Sequence, residues 1–278
     1  MKIASVSDLH VESAVNRRAV SAMASHLEAL APDVLLVLGD LCNGFHEVGT
    51  ILDRFGSIGK RRIYVPGNHE LWSADGDARA TYYRVLPDVA VRSGFEMPID
   101  GPVVVDRTAF VGTMGWYDGT FAHAEFDAAQ LGAKEFEGRT LLDRHRVRWV
   151  SGSGAPLGDS EVADMLLADL RDQLAAVPET CRTIIGALHV VPHPALLGPR
   201  WERDASMRYF RAFQGSSRFG DALASDPRVR HVFAGHNHER IYAKVGGVLW
   251  HLAPLGNLKA EETFDAERHV AVVDVDVD

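Results

Sequence analysis

A strand-like run followed by a polar turn occupies residues 62–70, Arg-Ile-Tyr-Val-Pro-Gly-Asn-His-Glu. Gly67 suits a turn in which the backbone passes close to something bound, because glycine has no Cβ to clash. Asn68 and His69 then lie at the carboxyl end of a strand, the edge at which open α/β sheets collect their ligands. A Gly-Asn-His turn is also typical of an ordinary loop. What the other strands carry at the same edge decides between these interpretations.

Two earlier strands end in the same way. The apolar run Ile3–Ser7 is followed by Asp8-Leu9-His10, and residues two apart in an extended segment point in the same direction. Asp8 and His10 can therefore present a carboxylate and an imidazole to one point, although a plain polar turn is the alternative. The nearly continuous apolar run Val34–Leu38 is typical of a strand buried on both faces, and Asp40 follows it.

The segments between these strands have helical periodicity. Apolar residues recur at helical spacing over Asn16–Leu30, and Pro32 ends that element. A second, shorter helix is predicted at Glu47–Phe55. The alternation of strand and helix predicts parallel pairing with right-handed crossovers.

The rest of the chain continues as a mixture of helices and strands and becomes rich in strands toward its end. Further helices are predicted at Ala78–Leu86, Ser160–Val177 and Ser217–Ala224. Further strands are predicted at Val103–Val105, Ala109–Val111, Thr183–Leu188, Val229–Ala234, Ile241–Val245, Val248–Leu252 and Val270–Val275, with a hairpin turn at Gly246-Gly247. This order predicts an α/β fold in which two sheets pack face to face as a β-sandwich flanked by helices.

The length of 278 residues is near the upper limit for one hydrophobic core, so we expect a single domain over residues 1–278. Residues 114–158 have no clear periodicity and are predicted to be an insertion that forms a lid or a substrate wall. The charged run Asp143–Trp149 within it could be a strand or lid with one basic face. Its arginines could bind a second phosphate or simply face solvent.

The composition limits the partners and the compartment. A formal net charge of -9 argues against a long nucleic acid as the partner, because long nucleic acids are held mainly by Lys and Arg. The first residues lack a secretory pattern and no apolar run approaches the length of a membrane span, so no membrane partner is expected. The two cysteines, Cys42 and Cys181, form no CxxC pattern, which favours a cytoplasmic location without disulfides, with Cys42 as a packing residue. The oligomeric state stays open.

Histidines follow two later strands, with His189 after Thr183–Leu188 and Gly-His-Asn-His at residues 235–238. Oxygen and nitrogen ligands without sulfur suit divalent Mn, Fe, Co, Ni or Zn. The candidates are too many for one tetrahedral ion, and two ions that share a bridging carboxylate would use them naturally. The strand ends together offer Asp8, His10, Asp40, Asn68, His69, His189, His236 and His238.

In this order, and over nearly the whole chain, these motifs resemble the calcineurin-like metallophosphoesterases. The resemblance implies a four-layer α/β/β/α sandwich and two divalent or mixed-valence transition metal ions. It implies hydrolysis of a small phosphate mono- or diester, which we expect to proceed by in-line attack of a metal-bound hydroxide. One ion would be held by Asp8, His10, Asp40 and His238. The second ion would be held by Asp40, Asn68, His189 and His236. His69 would assist the phosphate in the transition state or protonate the leaving group.

Substrate contacts are harder to assign from the sequence. Trp116, Tyr117 and Asp118 follow a strand and could border the pocket, or they could belong to an aromatic cluster that closes the sandwich. His193 could face the substrate or solvent, while His189 ends its strand directly and is the preferred metal ligand.

Two alternative functions remain open at this point. One is a nuclease that acts on short strands, against which the net acidity argues. The other is a protein-interaction scaffold that has the same fold but no turnover. Scaffolds of that kind typically lose ligands, whereas the motif set here is complete, so a small phosphorylated substrate is the expected partner.

Overall fold

The computed structural model describes residues 1–73, 76–259 and 264–276. These residues form twelve strands. They are β1 (Lys2–Val6), β2 (Val34–Leu38), β3 (Arg61–Val65), β4 (Val103–Val105), β5 (Thr108–Thr113), β6 (Glu135–Phe136), β7 (Arg139–Thr140), β8 (Thr183–Leu188), β9 (Val229–Ala234), β10 (Ile241–Val245), β11 (Val248–Leu252) and β12 (Ala271–Asp274).

The first sheet contains four strands in the order β12-β1-β2-β3. Strands β1, β2 and β3 are parallel, with Ile3 opposite Val34 and Leu36 opposite Ile63. This confirms the parallel pairing that the alternation of strand and helix predicts. The last strand, β12, is antiparallel to β1, so the two ends of the chain lie in one sheet.

The second sheet contains six strands in the order β10-β11-β9-β8-β5-β4. Its four central strands are parallel to one another, and the edge strands β10 and β4 are antiparallel to their neighbours. The β10–β11 hairpin turns at Gly246 and Gly247, whose φ angles of 59° and 87° are those that a tight two-residue hairpin needs. Strands β6 and β7 form a separate two-stranded sheet within the predicted insertion.

Helices cover the outer faces of both sheets. A buried apolar cluster that includes Leu36, Phe110, Ile185 and Phe233 lies between the sheets, and a larger cluster lies between the sheets and the helices. The predicted fold class, a helix-flanked sandwich of two sheets, is therefore confirmed. No helix in the described part of the chain is long and apolar enough to cross a membrane. The α-helices are α1 (Ala14–Leu30), α2 (Val48–Asp53), α3 (Ala78–Ala80), α4 (Leu86–Arg92), α5 (Ala128–Gly132), α6 (Asp143–Arg146), α7 (Asp159–Ala175), α8 (Ala205–Phe210) and α9 (Ser217–Ala224).

The helix predicted to end at Leu86 is longer than expected. Its backbone continues from α3 through a π-helical segment at Thr81–Val85 into α4, which ends at Arg92. Pro87 has no N–H, and its ring would clash with the preceding turn of a regular α-helix. The wider π-helical turn immediately before Pro87 accommodates that ring, so the chain continues as a helix where a stop was predicted.

Two histidines lie on the inner face of the second sheet. His251 on β11 is 7% exposed and stacks on Phe233 with ring centroids 4.7 Å apart. Its Nε2 lies 3.1 Å from Nδ1 of His231. Burial lowers the pKa of His251 to about 4, so the ring is neutral near pH 7.

Candidate metal centre

The carboxyl ends of strands from both sheets meet at one edge of the sandwich. The loop after β1 is bonded to the loop after β2 through the Asp8 N–H, which donates to the Gly39 carbonyl at 2.9 Å. The loop after β9 is bonded to the loop after β8 through the Gly235 N–H, which donates to the His189 carbonyl at 2.8 Å. The two sheets are joined by the His236 N–H, which donates to Asp8 Oδ1 at 2.9 Å.

A first group of four side chains converges here, comprising Asp8, His10, Asp40 and His238, with ligand atoms within 4.8 Å of one another. His10 Nε2 lies 3.0 Å from His238 Nε2, and His238 Nε2 lies 3.3 Å from Asp8 Oδ1. Ring nitrogens and carboxylate oxygens aimed at one point are the arrangement that a divalent transition metal ion requires.

A second group shares Asp40 with the first and adds His189 and His236 within the same 4.8 Å limit. His189 Nε2 lies 3.3 Å from Asp40 Oδ1 and 3.2 Å from Asn68 Oδ1. The amide oxygen of Asn68 therefore faces the same point as the second group. Asp40 belongs to both groups, which is the position of a bridging carboxylate.

Hydrogen bonds fix which ring nitrogen of each second-group histidine is available. His189 Nδ1 lies 2.9 Å from the Leu38 carbonyl and donates to it, so Nε2 is the nitrogen that faces the cluster. His236 Nε2 lies 3.2 Å from the Phe213 carbonyl and likewise carries the proton. His236 Nδ1 is buried and has no hydrogen-bond partner in the described part of the chain. A buried, unpartnered lone pair is costly unless something binds it, and a metal ion at the second group fits that requirement.

The charges of the cluster also suit a cation. Burial disfavours the charged form of Asp40, but His189 and His69 outweigh it and hold the pKa of Asp40 well below its ordinary value. Burial likewise opposes protonation of His189, yet the Asp40 carboxylate raises the pKa of that ring to about 10. A proton thus occupies, without metal, the position that an ion would take at the second group.

Five of these side chains sit on unusual backbone. The φ angles are 56° at Asp8, 41° at His10, 52° at Asp40, 69° at His236 and 54° at His238. The left-handed region is uncommon for residues with a Cβ, although Asp and His enter it more often than most. Backbone of this kind clusters at functional sites, where it aims side chains that regular strands would point elsewhere.

Two glycines allow the loops to approach each other. A Cβ at Gly67 would lie 2.2 Å from Asp40 Oδ1 and 2.8 Å from His189 Cε1. A Cβ at Gly235 would lie 2.5 Å from Asp8 Oδ2. Side chains at either position would displace a carboxylate of the cluster, which gives the glycine in the 62–70 stretch a definite physical purpose.

The ligand-bearing loops after β1, β2, β3 and β9 are anchored by buried polar side chains. Asn16 donates to the Leu9 carbonyl at 2.9 Å, between Asp8 and His10. Glu70 accepts from the Asp40 N–H at 3.0 Å and also from the N–H groups of the residues at 41 and 67. Asn237 accepts from the Trp201 indole N–H at 2.7 Å. These bonds hold the loops in place before any ion binds.

An open cavity of about 550 Å³ lies directly above the cluster. His69 is on its wall, with its ring stacked on Trp72 at 3.7 Å and its Nε2 3.7 Å from Asp40 Oδ2. Burial lowers the pKa of His69 to about 4, so the ring is neutral near pH 7. Among the described residues that line the cavity, Arg139 and Arg200 are the only arginine or lysine side chains.

A family model described as calcineurin-like phosphoesterase matches residues 1–240. The chain belongs to the calcineurin-like phosphoesterase family. No curated protein sequence matches it.

Three solved structures share the fold over most of their length. Phosphopantetheinyl hydrolase from Mycobacterium tuberculosis has a TM-score of 0.72 and 22% identity, covering 92% of this chain and 89% of that chain. A dimetal phosphatase from Danio rerio has a TM-score of 0.54 and 13% identity, covering 91% and 86%. GAP50, the anchor in the inner membrane complex of Plasmodium, has a TM-score of 0.50 and 12% identity, covering 98% and 80%.

One residue beside the cluster, Asp143, is not among the candidates that the sequence pattern indicates. Asp143 begins the short helix α6, is 3% exposed, and lines the cavity. It lies in the charged run for which the sequence predicts a strand or lid with one basic face, and the structure shows a four-residue helix there rather than a strand. An acidic residue at the start of an arginine-rich run is typical of a solvated helix end, so only the fold reveals its contacts.

The four residues proposed for the substrate lie elsewhere. Trp116 and Tyr117 are each 1% exposed and belong to the apolar cluster under the helices, as the alternative interpretation had it. Asp118 accepts from the Ser216 hydroxyl at 2.7 Å. His193 packs against Trp250 with ring centroids 5.0 Å apart. None of the four is among the described residues that line the cavity.

Proposed function

We propose that this protein hydrolyses a small phosphate ester with the help of two divalent transition metal ions. The observation that carries the proposal is that two ligand groups share one buried carboxylate, Asp40, at the base of an open cavity. Asp8, His10 and His238 would complete the first ion's site. Asn68, His189 and His236 would complete the second, and the unpartnered nitrogen of His236 supports that assignment.

Two bound ions would screen the negative oxygens of the ester and lower the pKa of a bound water. Displacement of the leaving group by water, in line and in one step, requires no nucleophilic side chain. Cys42, two residues after Asp40, is 3% exposed, and burial raises the pKa of its thiol, which agrees with the packing role expected from the sequence.

His69 would act on the ester from the cavity wall. Its ring is held between Trp72 and Asn43, whose Oδ1 lies 2.9 Å from His69 Nδ1. With the Asn43 amide turned by half a rotation, its NH₂ group would donate to Nδ1 and the ring proton would lie on Nε2. A neutral ring with its proton on Nε2 would then donate a hydrogen bond to the phosphate in the transition state.

The cavity supports a small substrate with a polar or anionic part beyond the scissile phosphate. Arg139 lies over the Phe210 ring at 5.2 Å and donates to the Ser206 hydroxyl at 3.0 Å. Arg200 lies over the Trp201 ring at 4.5 Å. Two arginines suit one additional anionic group, whereas a nucleic acid strand needs a longer basic track. A monoester and a diester would use the same two ions and would differ only in their contacts with the cavity around the phosphate.

The direct test is metal-dependent hydrolysis. The protein is stripped with a chelator, dialysed, reloaded with Mn²⁺, and assayed with p-nitrophenyl phosphate and bis-p-nitrophenyl phosphate. We expect activity only in the reloaded protein and none in Asp40→Asn. Asp164→Asn, which changes an exposed carboxylate paired with Arg218, is the matched control. A reloaded protein that is inert toward both esters and toward a panel of nucleotides, while it binds another polypeptide tightly, would favour the scaffold alternative.

A further inference from the structure

Asp143 brings the insertion into direct contact with the proposed second metal site. Its two carboxylate oxygens each lie 3.0 Å from Asn68 Nδ2. Oδ1 also accepts from the Trp72 indole N–H at 2.7 Å, and Oδ2 accepts from the Tyr117 hydroxyl at 3.3 Å. Three donors converge on one buried side chain, which suits a carboxylate that only accepts.

These contacts determine which end of the Asn68 amide faces the cluster. An asparagine amide can be turned by half a rotation, which exchanges its oxygen and nitrogen. Because the Asp143 oxygens accept from the Trp72 indole and the Tyr117 hydroxyl, the donating Nδ2 end of the amide faces Asp143 and Oδ1 faces the opposite way. That oxygen lies 3.2 Å from His189 Nε2, within the second group. The reverse orientation would present an NH₂ group, which has no lone pair to offer an ion.

The same carboxylate positions the platform beneath His69. Trp72 donates to Asp143 and carries the His69 ring at a centroid distance of 3.7 Å with the ring planes 25° apart. One buried side chain therefore orients both a candidate metal ligand and the ring stacked under the candidate catalytic histidine.

We propose that Asp143 is a positioning residue, which makes the second metal site dependent on the insertion. It holds the Asn68 oxygen toward the second ion and Trp72 against His69. The inference rests on the proposed two-ion site but does not depend on any particular substrate. Outer partners of metal ligands typically contribute 10- to 100-fold to metal affinity.

The first experiment titrates metal-free protein with Mn²⁺ by calorimetry. For Asp143→Asn we expect the affinity for the second ion to fall by about 10- to 100-fold while the first ion binds as in the unmodified protein. The matched control is Asp159→Asn, at the start of α7. Its carboxylate also accepts from an indole N–H, that of Trp116 at 3.0 Å, but contacts none of the candidate ligands. If Asp143→Asn binds both Mn²⁺ ions with the affinities of the unmodified protein, the proposal is overturned.

The second experiment exchanges the two partners. Asn68→Asp alone places two carboxylates about 3 Å apart, so repulsion should weaken second-ion binding and lower the melting temperature. Adding Asp143→Asn restores a donor opposite an acceptor, because the amide introduced at position 143 donates to the carboxylate introduced at position 68. We expect the double variant to bind the second ion at least about tenfold more tightly than Asn68→Asp.

An exchange that gives no recovery relative to Asn68→Asp would also overturn the proposal. This comparison remains decisive if Asp143→Asn fails to fold, because the required result is a gain and not a loss. The metal titration also separates the two proposals. A protein that binds two ions, shows the expected Asp143 effects and hydrolyses no phosphate ester would refute the proposed function and leave the positioning role in place.

Discussion

Replacing His69 with alanine tests how the proposed reaction is assisted. Burial lowers the pKa of the ring to about 4, so at pH 7 roughly one ring in a thousand is protonated. A general acid that is protonated in so small a fraction of the molecules would contribute little to the rate at pH 7. We therefore expect His69 to act as a neutral hydrogen-bond donor. Removing one such donor typically lowers kcat by about 100-fold, which corresponds to about 2.7 kcal/mol.

The two roles differ in how they respond to the leaving group. A donor to the phosphate oxygens helps all esters equally, so His69→Ala should lower kcat by a similar factor for p-nitrophenyl phosphate and for an alkyl phosphate. The metal content should stay unchanged, because His69 is in neither ligand group. The free energy of unfolding should fall by only about 1 kcal/mol, the usual scale of one aromatic stacking contact such as that with Trp72.

His69→Gln keeps a donor of similar reach and should recover part of the loss. The pH dependence of kcat should show no limb from His69 between about pH 5 and pH 8, since its pKa lies below that range. A loss that grows steadily with the basicity of the leaving group would refute this reasoning and make His69 a general acid. A loss of bound metal would instead make it a ligand.

Three further outcomes follow from the described contacts. Gly67→Ala places a Cβ 2.2 Å from Asp40 Oδ1, so the amount of metal bound after dialysis should fall at least about tenfold. Gly132→Ala, whose Cβ would have nothing within 4 Å, should keep the metal content of the unmodified protein. Equal metal contents in the two variants would contradict a clash between this Cβ and Asp40. The folded pKa of His251, about 4, lies below its ordinary 6.5, so this ring stabilises the fold above pH 6.5 and that contribution is lost as the pH falls toward 4. The difference between these two pKa values corresponds to about 3 kcal/mol. In urea denaturation, the free energy of unfolding of His251→Phe should therefore fall less steeply with decreasing pH than that of the unmodified protein. An unchanged pH dependence would show that His251 is not its source. Arg139→Ala should raise KM by about tenfold without changing metal content, and a KM unaffected with every active ester would remove Arg139 from substrate binding.

Much of the fold follows from local pattern. Val34–Leu38 and Thr183–Leu188 have the bounds that the apolar runs predict, because strands buried on both faces are almost uninterrupted in hydrophobicity. The helix through Pro87 does not follow, because proline chemistry predicts a stop and only the adjoining π-helical turn explains its continuation. Local rules therefore place the elements, while exceptions to those rules need the surrounding structure.

The site divides in the same way. The candidate ligands each follow a strand, so strand ends alone bring residues as distant as Asp8 and His238 to one place. Asp143 follows no strand of the two main sheets, and its neighbours Arg144 and Arg146 indicate solvent exposure. Its contacts depend on how an irregular segment folds back over the sheet edge, which no periodicity encodes. Tyr117 shows the converse, since an aromatic residue after a strand has the same pattern in a core as in a pocket.

The left-handed backbone at Asp8, His10, Asp40, His236 and His238 has an evolutionary consequence. Glycine would relax each of these positions, so a population selected only for thermal endurance in metal-poor surroundings should accumulate glycine there. Such lineages would gain robustness and lose the capacity to bind metal in the same substitutions. Retention of all five bulky side chains in relatives from hot habitats would therefore indicate continued selection for the metal centre itself.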